Sequence, residues 1–302
     1  ILSNLGIPHG MLVTLPASYE GMDEKINSCI GLYGIEKIRR KLKNLRSIII
    51  VENDNLKELI MNTMEVSFEN VWKEANKYIF NMFFNILKFT QQSSSFTVDG
   101  QDYIRVLTKR GYMVFGNTII SDINDKTETA LAGEVRKGWE SNIFVNNLNF
   151  KTSKGLALIV NRPEKYDKDG KAIEKLFSEM NEFIGSGTFA SGIYNTNKEG
   201  LISNLKNIFG DNPLEVFTVI SGIGFPVERY NELKELSERE IEAYRGKHSD
   251  VSVSINLDDI NSYMNEYKRQ EEDVEFSVFD HEETMETERL EPIDWSNLKE
   301  VD

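Results

Sequence analysis

The sequence predicts an α/β protein: a partial parallel sheet flanked by helices, joined by a long central helix to an α+β unit, with an acidic C-terminal tail. Three observations carry this. Short apolar runs, "GMLVTLPA" (residues 10–17) and "RSIIIVENDNL" (46–56), alternate with helical patterns, and that order implies parallel strands with helices on their faces. Residues 68–90 are apolar on most sides, which predicts a helix buried between two domains. Charge is also unevenly spread. Residues 271–302 hold thirteen acids against two bases, Arg289 and Lys299, a local −11 that leaves only −3 of the total −14 on the preceding 270 residues.

Each element follows in order. "GMLVTLPA" is a strand ended by Pro16. "MDEKINSCIGLYGIEKIRRKLKNL" is a helix, with Ile26, Ile30, Tyr33 and Lys37 on its inner face. "RSIIIV" is a buried strand leaving into a polar turn at Glu52, Asn53, Asp54 and Asn55. The long helix ends at "TQQSSS". In "FTVDGQDYIRVL" (96–107) a loop becomes a helix, with Asp99 and Asp102 at the cap and in the first turn, where aspartate is favoured. "YMVFGNTII" is a strand, and "DKTETALAGEVRKGWES" a helix capped by Asp125 or Thr127. "KGLALIVN" is a strand, "KAIEKLFSEMNEFI" a helix, and "TFASGIYN" and "LEVFTVISGI" are strands. "VERYNELKELSEREIEAYRGK" is a charged surface helix. The amphipathic "LDDINSYMNEYKRQ" leads into the tail.

Composition excludes several functions. A single cysteine, Cys29, allows no internal disulfide and fits a reducing cytoplasm; its place in a helical pattern suits a small buried apolar role. His9, His248 and His281 are scattered without metal-ligand spacing. No run reaches the roughly 20 apolar residues of a membrane span, and no signal-peptide pattern opens the chain. It begins "ILSNLGIPHG", without Met, and reads as a fragment whose start lies upstream. The acidic tail repels nucleic acid and membrane phosphates and suits a basic protein partner. Its composition is that of a solvated, disordered segment.

Three motifs imitate binding loops. "GSGT" (185–188) leaves a helix and enters a strand, the reverse of the polarity a phosphate loop needs. "SGIG" (221–224) is followed by Pro and a surface helix, without Lys-Ser/Thr. "DKDG" (167–170) begins like a calcium loop, but the twelfth position is Ser178 rather than a bidentate Glu. All three read as turns.

A constellation spread over a hundred residues remains: Pro16-Ala-Ser-Tyr-Glu20-Gly21 after the first strand, Asn53-Asp54-Asn55-Leu56 after the second, Trp72 and Asn76 on the long helix, and Asp99 and Asp102 beyond it. In this order and spacing the chain resembles the tubulin/FtsZ superfamily of self-assembling GTPases over about residues 1–247. "NKYI" (76–79) looks especially like the TubZ branch of plasmids and phages. The resemblance implies GTP and GDP as nucleotides, with Glu20 on the ribose and Asn53, Trp72 and Asn76 around the guanine. It casts Asp99 and Asp102 as the catalytic pair, orienting a water or holding a cation such as Mg. An aromatic ring can stack on a base, and an Asn amide offers donor and acceptor to a purine edge. The sequence departs from the family in three places. Thr97 replaces an Asn two residues before the first Asp, Glu24 replaces an Arg after the Glu-Gly turn, and the glycine-rich phosphate loop is absent from the chain.

The resulting domain reading is the C-terminal part of a nucleotide-binding domain (1–67), central helix (68–92), activation domain (93–226), C-terminal surface helix (227–247) and acidic, disordered tail (248–302). The function implied is a cytoplasmic GTPase that polymerises head to tail with itself, hydrolyses GTP at the subunit interface only when complete and assembled, and positions plasmid or phage DNA or particles. An adaptor would bind the tail, without direct contact to nucleic acid or membrane. The alternatives are an FtsZ-like division protein, with Ile293, Trp295 and Leu298 as a docking motif, and a non-hydrolysing structural filament or capping subunit.

Overall fold

The computed structural model describes residues 5–63, 70–90, 94, 96–120, 130–140, 142–163, 170–196 and 214–247. The expected cap at Asp125 or Thr127, the "DKDG" turn except Gly170, the amphipathic segment after His248 and the acidic tail lie outside these residues.

The elements are β1 (His9–Leu15), α1 (Met22–Lys41), β2 (Leu45–Glu52), α2 (Asn53–Thr63), α3 (Val71–Thr90), α4 (Gly100–Leu107), β3 (Gly111–Ile120), α5 (Ala130–Glu140), a single 3-10 turn (Phe150–Thr152), β4 (Gly155–Pro163), α6 (Gly170–Ile184), β5 (Thr188–Thr196), β6 (Leu214–Ile223) and α7 (Val227–Lys247). Six strands form one sheet in the order β1-β2-β3-β6-β4-β5. The β1-β2-β3 and β4-β5 pairs are parallel, and β6 runs antiparallel to both its neighbours. β6 is buried at all ten positions, as a strand covered on both faces must be.

β2 and β3 pair at only two positions, Ser47 with Gly111 and Ile48 with Tyr112. Beyond them residues 143–145 take over the exposed edge of β2: Glu52 N–H bonds Ile143 O at 2.9 Å and Val145 N–H bonds Ile50 O at 3.0 Å. The faces of β3 then divide the helices. Tyr112 meets Glu36 of α1, Gly116 lies against Trp139 of α5, and Phe115 on the opposite face meets Phe83 of α3 edge-on at 4.5 Å. α3 continues across the sheet, setting Phe89 against Tyr194 of β5 and Phe217 of β6.

Four expectations need correction. The inner face of α1 is Ile26, Cys29, Leu32 and Glu36, while Ile30 is 43% exposed. The seam is rotated because α1 packs on α7, whose own inner stripe is Tyr230, Leu233 and Ser237. Asn53 to Asn55 are not a turn but the opening of α2, with Asp54 in the first turn, where its charge suits the helix dipole. α3 begins at Val71 and is not buried all round: Trp72 is 37% and Phe80 43% exposed. The central helix thus presents one wet side, and Trp72 is not the buried aromatic the sequence suggested.

Of the two glycine motifs "GSGT" is a turn, whereas "SGIG" is not: its first three residues are the bulged end of β6. Gly185, at φ +58°, ends α6 and bonds back to Asn181 O at 3.1 Å, the usual C-terminal use of glycine. Ser221 and Gly222 form a bulge against β3, the register jumping from Tyr112–Ile223 to Val114–Ile220. Gly222 sits at φ +71°, a left-handed conformation glycine adopts freely. Cys29 is buried, as expected. Among the described residues no helix is long and apolar enough to cross a membrane.

Candidate functional site

Parallel strands point their carboxyl ends at a common edge, where α/β sheets bind ligands. At that edge β1 runs into the loop containing Pro16 and Glu20, and β2 into α2. The loop is tightly built. Glu20 Oε1 accepts the Ala17 N–H at 2.8 Å and the Asn53 side-chain amide at 3.3 Å. Asp54 takes the Ser18 N–H at 2.8 Å and its hydroxyl at 3.3 Å. Tyr19 lies under the Lys57 ammonium, 4.3 Å from the ring centre. The loop is therefore held by the first turns of α2, and Glu20 is positioned by its own backbone.

Facing this edge is the first half of α3. Trp72 and Asn76, four residues apart, share a helix face. A cavity of about 400 Å³ opens between, lined by Thr14, Tyr19, Glu20, Asn53, Leu56, Trp72, Asn76 and Ile79. The structure thus brings Glu20, Asn53, Trp72 and Asn76, drawn from three separated segments, around one cavity. The size is within the range of small-molecule sites. The sequence reading did not single out Tyr19, Thr14 or Ile79. Tyr19 adjoins Glu20 in the same loop and Ile79 closes "NKYI", so position beside named residues was the available signal.

Asp99 and Asp102 are elsewhere. α4 packs on β4, β5 and β6, and neither acid lines the cavity. Asp99 caps α4, accepting the Gln101 N–H at 2.8 Å; Asp102 pairs with Arg105 at 2.9 Å, both substantially exposed. The helix beneath them is fixed from both ends. Tyr194 OH accepts the Val98 N–H at 3.1 Å. At the other end Ser221 and Ser47 donate their hydroxyls to the Val106 and Leu107 carbonyls, both at 2.5 Å. Such carbonyls have no partner within the helix.

A larger cavity of about 540 Å³ opens among α2, α3, β3 and α5 and contains none of these residues. Among the described residues no three His, Cys, Asp or Glu side chains gather as a metal site.

No family model and no curated protein matches the chain. Solved structures do. A TubZ from Bacillus thuringiensis serovar israelensis, crystallised as GDP-form protofilaments, aligns with TM-score 0.62 and 18% identity over 82% of this chain and 62% of that one. A TubZ described as a type III plasmid segregation protein aligns with TM-score 0.62 and 18% identity over 80% and 63%. An FtsZ from M. jannaschii, solved as an empty dimer, aligns with TM-score 0.51 and 16% identity over 73% and 56%. The chain has the tubulin/FtsZ-like fold and spans about three-fifths of the length of the TubZ chains it matches.

Proposed function

We propose that this chain, with its tubulin/FtsZ-like fold, belongs to a self-assembling GTPase that holds guanine nucleotide at one end of the subunit and supplies hydrolytic acids from another. One observation carries the reading: Glu20, Asn53, Trp72 and Asn76 line a single cavity, while Asp99 and Asp102 stand outside it on α4. A pocket without its acids and acids without a pocket are complementary parts of a site that closes when two copies meet head to tail, in a heterologous contact that leaves the polymer open.

In this reading the exposed face of Trp72 stacks on the base, with the Asn76 amide beside it to donate and accept hydrogen bonds at its edge. Glu20, braced by Asn53, accepts from a ribose hydroxyl. Hydrolysis needs an aligned water and charge stabilisation near the γ-phosphate. Asp99 and Asp102 of the adjoining copy accept hydrogen bonds from that water and orient it. Their exposed carboxylates also suit a magnesium ion's preference for oxygen ligands. Turnover then follows assembly, and the filament times its own disassembly. The likeness to TubZ and the "NKYI" segment favour plasmid or phage positioning in the cytoplasm. The charge of residues 271–302 favours a basic partner over direct contact with DNA or membrane.

The test is sedimentation and phosphate release by the full-length protein with GTP. Asp102→Ala is expected to pellet with GTP yet release little phosphate; normal turnover in that variant overturns the catalytic assignment.

A further inference from the structure

At the other end of β2 from the nucleotide cavity the sequence is strongly basic. Residues 36–46, "EKIRRKLKNLR", and 107–110, "LTKR", contain eight bases and one acid, in a body whose other residues are net acidic. The fold brings the two segments together. Arg110 donates to the Arg39 carbonyl at 2.7 Å, Ser47 reaches the Leu107 and Lys109 carbonyls, and Ser47 pairs with Gly111 across the strands.

The single acid, Glu36, is fully buried and already engaged. It takes Arg39 through two bonds of 2.6 and 2.8 Å, Arg40 at 3.2 Å and the Tyr112 hydroxyl at 3.2 Å. It cannot neutralise the rest. Among the described residues the Nε–H groups of Arg46 and Arg110 are both buried without an acceptor, a costly state for a charged donor. Arg110 also feels its neighbours: burial, then the charges of Arg39 and Arg46, pull its guanidinium below the ordinary range. Around this core Lys41 and Lys43 stand exposed. Within the two segments bases outnumber the acid eight to one, and guanidinium groups match carboxylates with paired hydrogen bonds.

We propose that this basic surface docks an acidic polypeptide, the segment 271–302 of another copy of the protein. Charge complementarity argues for that occupant. The segment carries thirteen acids and a net −11, every copy brings one, and it is the strongest concentration of carboxylate in the chain. The basic partner that such a segment requires is thereby present on the protein itself. Association is steered by opposite fields and weakens with salt.

The test uses the full-length protein, without nucleotide, and a fluorescent peptide of residues 271–302 read by anisotropy. Saturable binding that falls with rising salt is expected. Lys41→Glu/Lys43→Glu should weaken it roughly tenfold, the scale of two charge reversals at a solvated contact. Lys151→Glu/Lys171→Glu, the same charge change at exposed lysines elsewhere, should leave it unchanged. Arg46→Gln should also weaken it, as a second variant that does not reverse charge. Equal binding by the two double variants overturns the proposal. So does a protein that ignores the peptide but binds duplex DNA or anionic vesicles through the same lysines.

Discussion

Arg229 of α7 closes a two-bonded ion pair on Glu52, the last residue of β2, with Nε to Oε1 at 2.7 Å and Nη2 to Oε2 at 3.0 Å. Glu52 is 2% exposed, and the next residue, Asn53, reaches Glu20 in the wall of the candidate cavity. The pair therefore ties the last helix described to the edge where the candidate site is built.

Removing Arg229 leaves a buried carboxylate uncompensated. Arg229→Ala should cost about 3–5 kcal/mol at neutral pH, seen as a lower urea midpoint. Burial already pushes the Glu52 carboxyl up, against the opposing pull of Arg229. A group raised in the folded state favours folding most below its unfolded value, and that contribution is lost as pH rises through the folded value. Without Arg229 the upward shift grows. The variant should recover part of its deficit between about pH 7 and about pH 5, and an equal deficit at both would contradict this account.

Glu215 on β6 poses the same problem with amides in place of a guanidinium. Among the described residues its two oxygens accept the side-chain amides of Asn117 at 3.1 Å and Asn161 at 3.2 Å. Burial raises its pKa and the two amides pull the other way. The wild type should therefore gain stability relative to Glu215→Gln as pH falls toward the ordinary glutamate value of about 4.3. At neutral pH Glu215→Gln should be no less stable, because an amide replaces a buried charge. Parallel urea curves at several pH values decide it.

Asp99 has two separable duties, capping α4 and carrying charge. Asp99→Asn keeps a side-chain oxygen for the Gln101 N–H and should leave stability nearly unchanged, whereas Asp99→Ala should cost about 1 kcal/mol. If the carboxylate takes part in hydrolysis, both variants should lose phosphate release. Retained activity in Asp99→Asn would reduce this residue to a helix cap.

Trp72 is partly exposed, so its removal should perturb binding more than folding. Trp72→Ala should weaken fluorescent GDP binding by about 1–3 kcal/mol, the range for base stacking on an aromatic ring, and Trp72→Phe should restore most of it. Unchanged affinity in Trp72→Ala would remove the ring from the nucleotide site.

The alternating strands and helices were legible because each periodicity is local. The gathering of Glu20, Asn53, Trp72 and Asn76 was implied by the resemblance to the tubulin/FtsZ superfamily, since no single motif names its distant neighbours. What sequence could not show depends on neighbours far along the chain. The inner face of α1 is set by α7 nearly two hundred residues later, which is why Ile30 was misplaced. α2 was missed because its opening Asn-Asp-Asn matches turn composition as well as helix-start composition. Ser47 and Ser221 look like ordinary strand residues until the fold sets their hydroxyls against α4, and Glu36 and Glu215 look like surface acids until they are found buried.

The two serine hydroxyls under α4 have a thermodynamic consequence for any encounter at that surface. With its last carbonyls bonded to β2 and β6 and its start bonded to Tyr194, the helix lost its conformational freedom when the chain folded. A molecule arriving at Asp99 and Asp102 meets a helix already in place. For contacts made to α4 itself, the entropy surrendered is the arriving molecule's own.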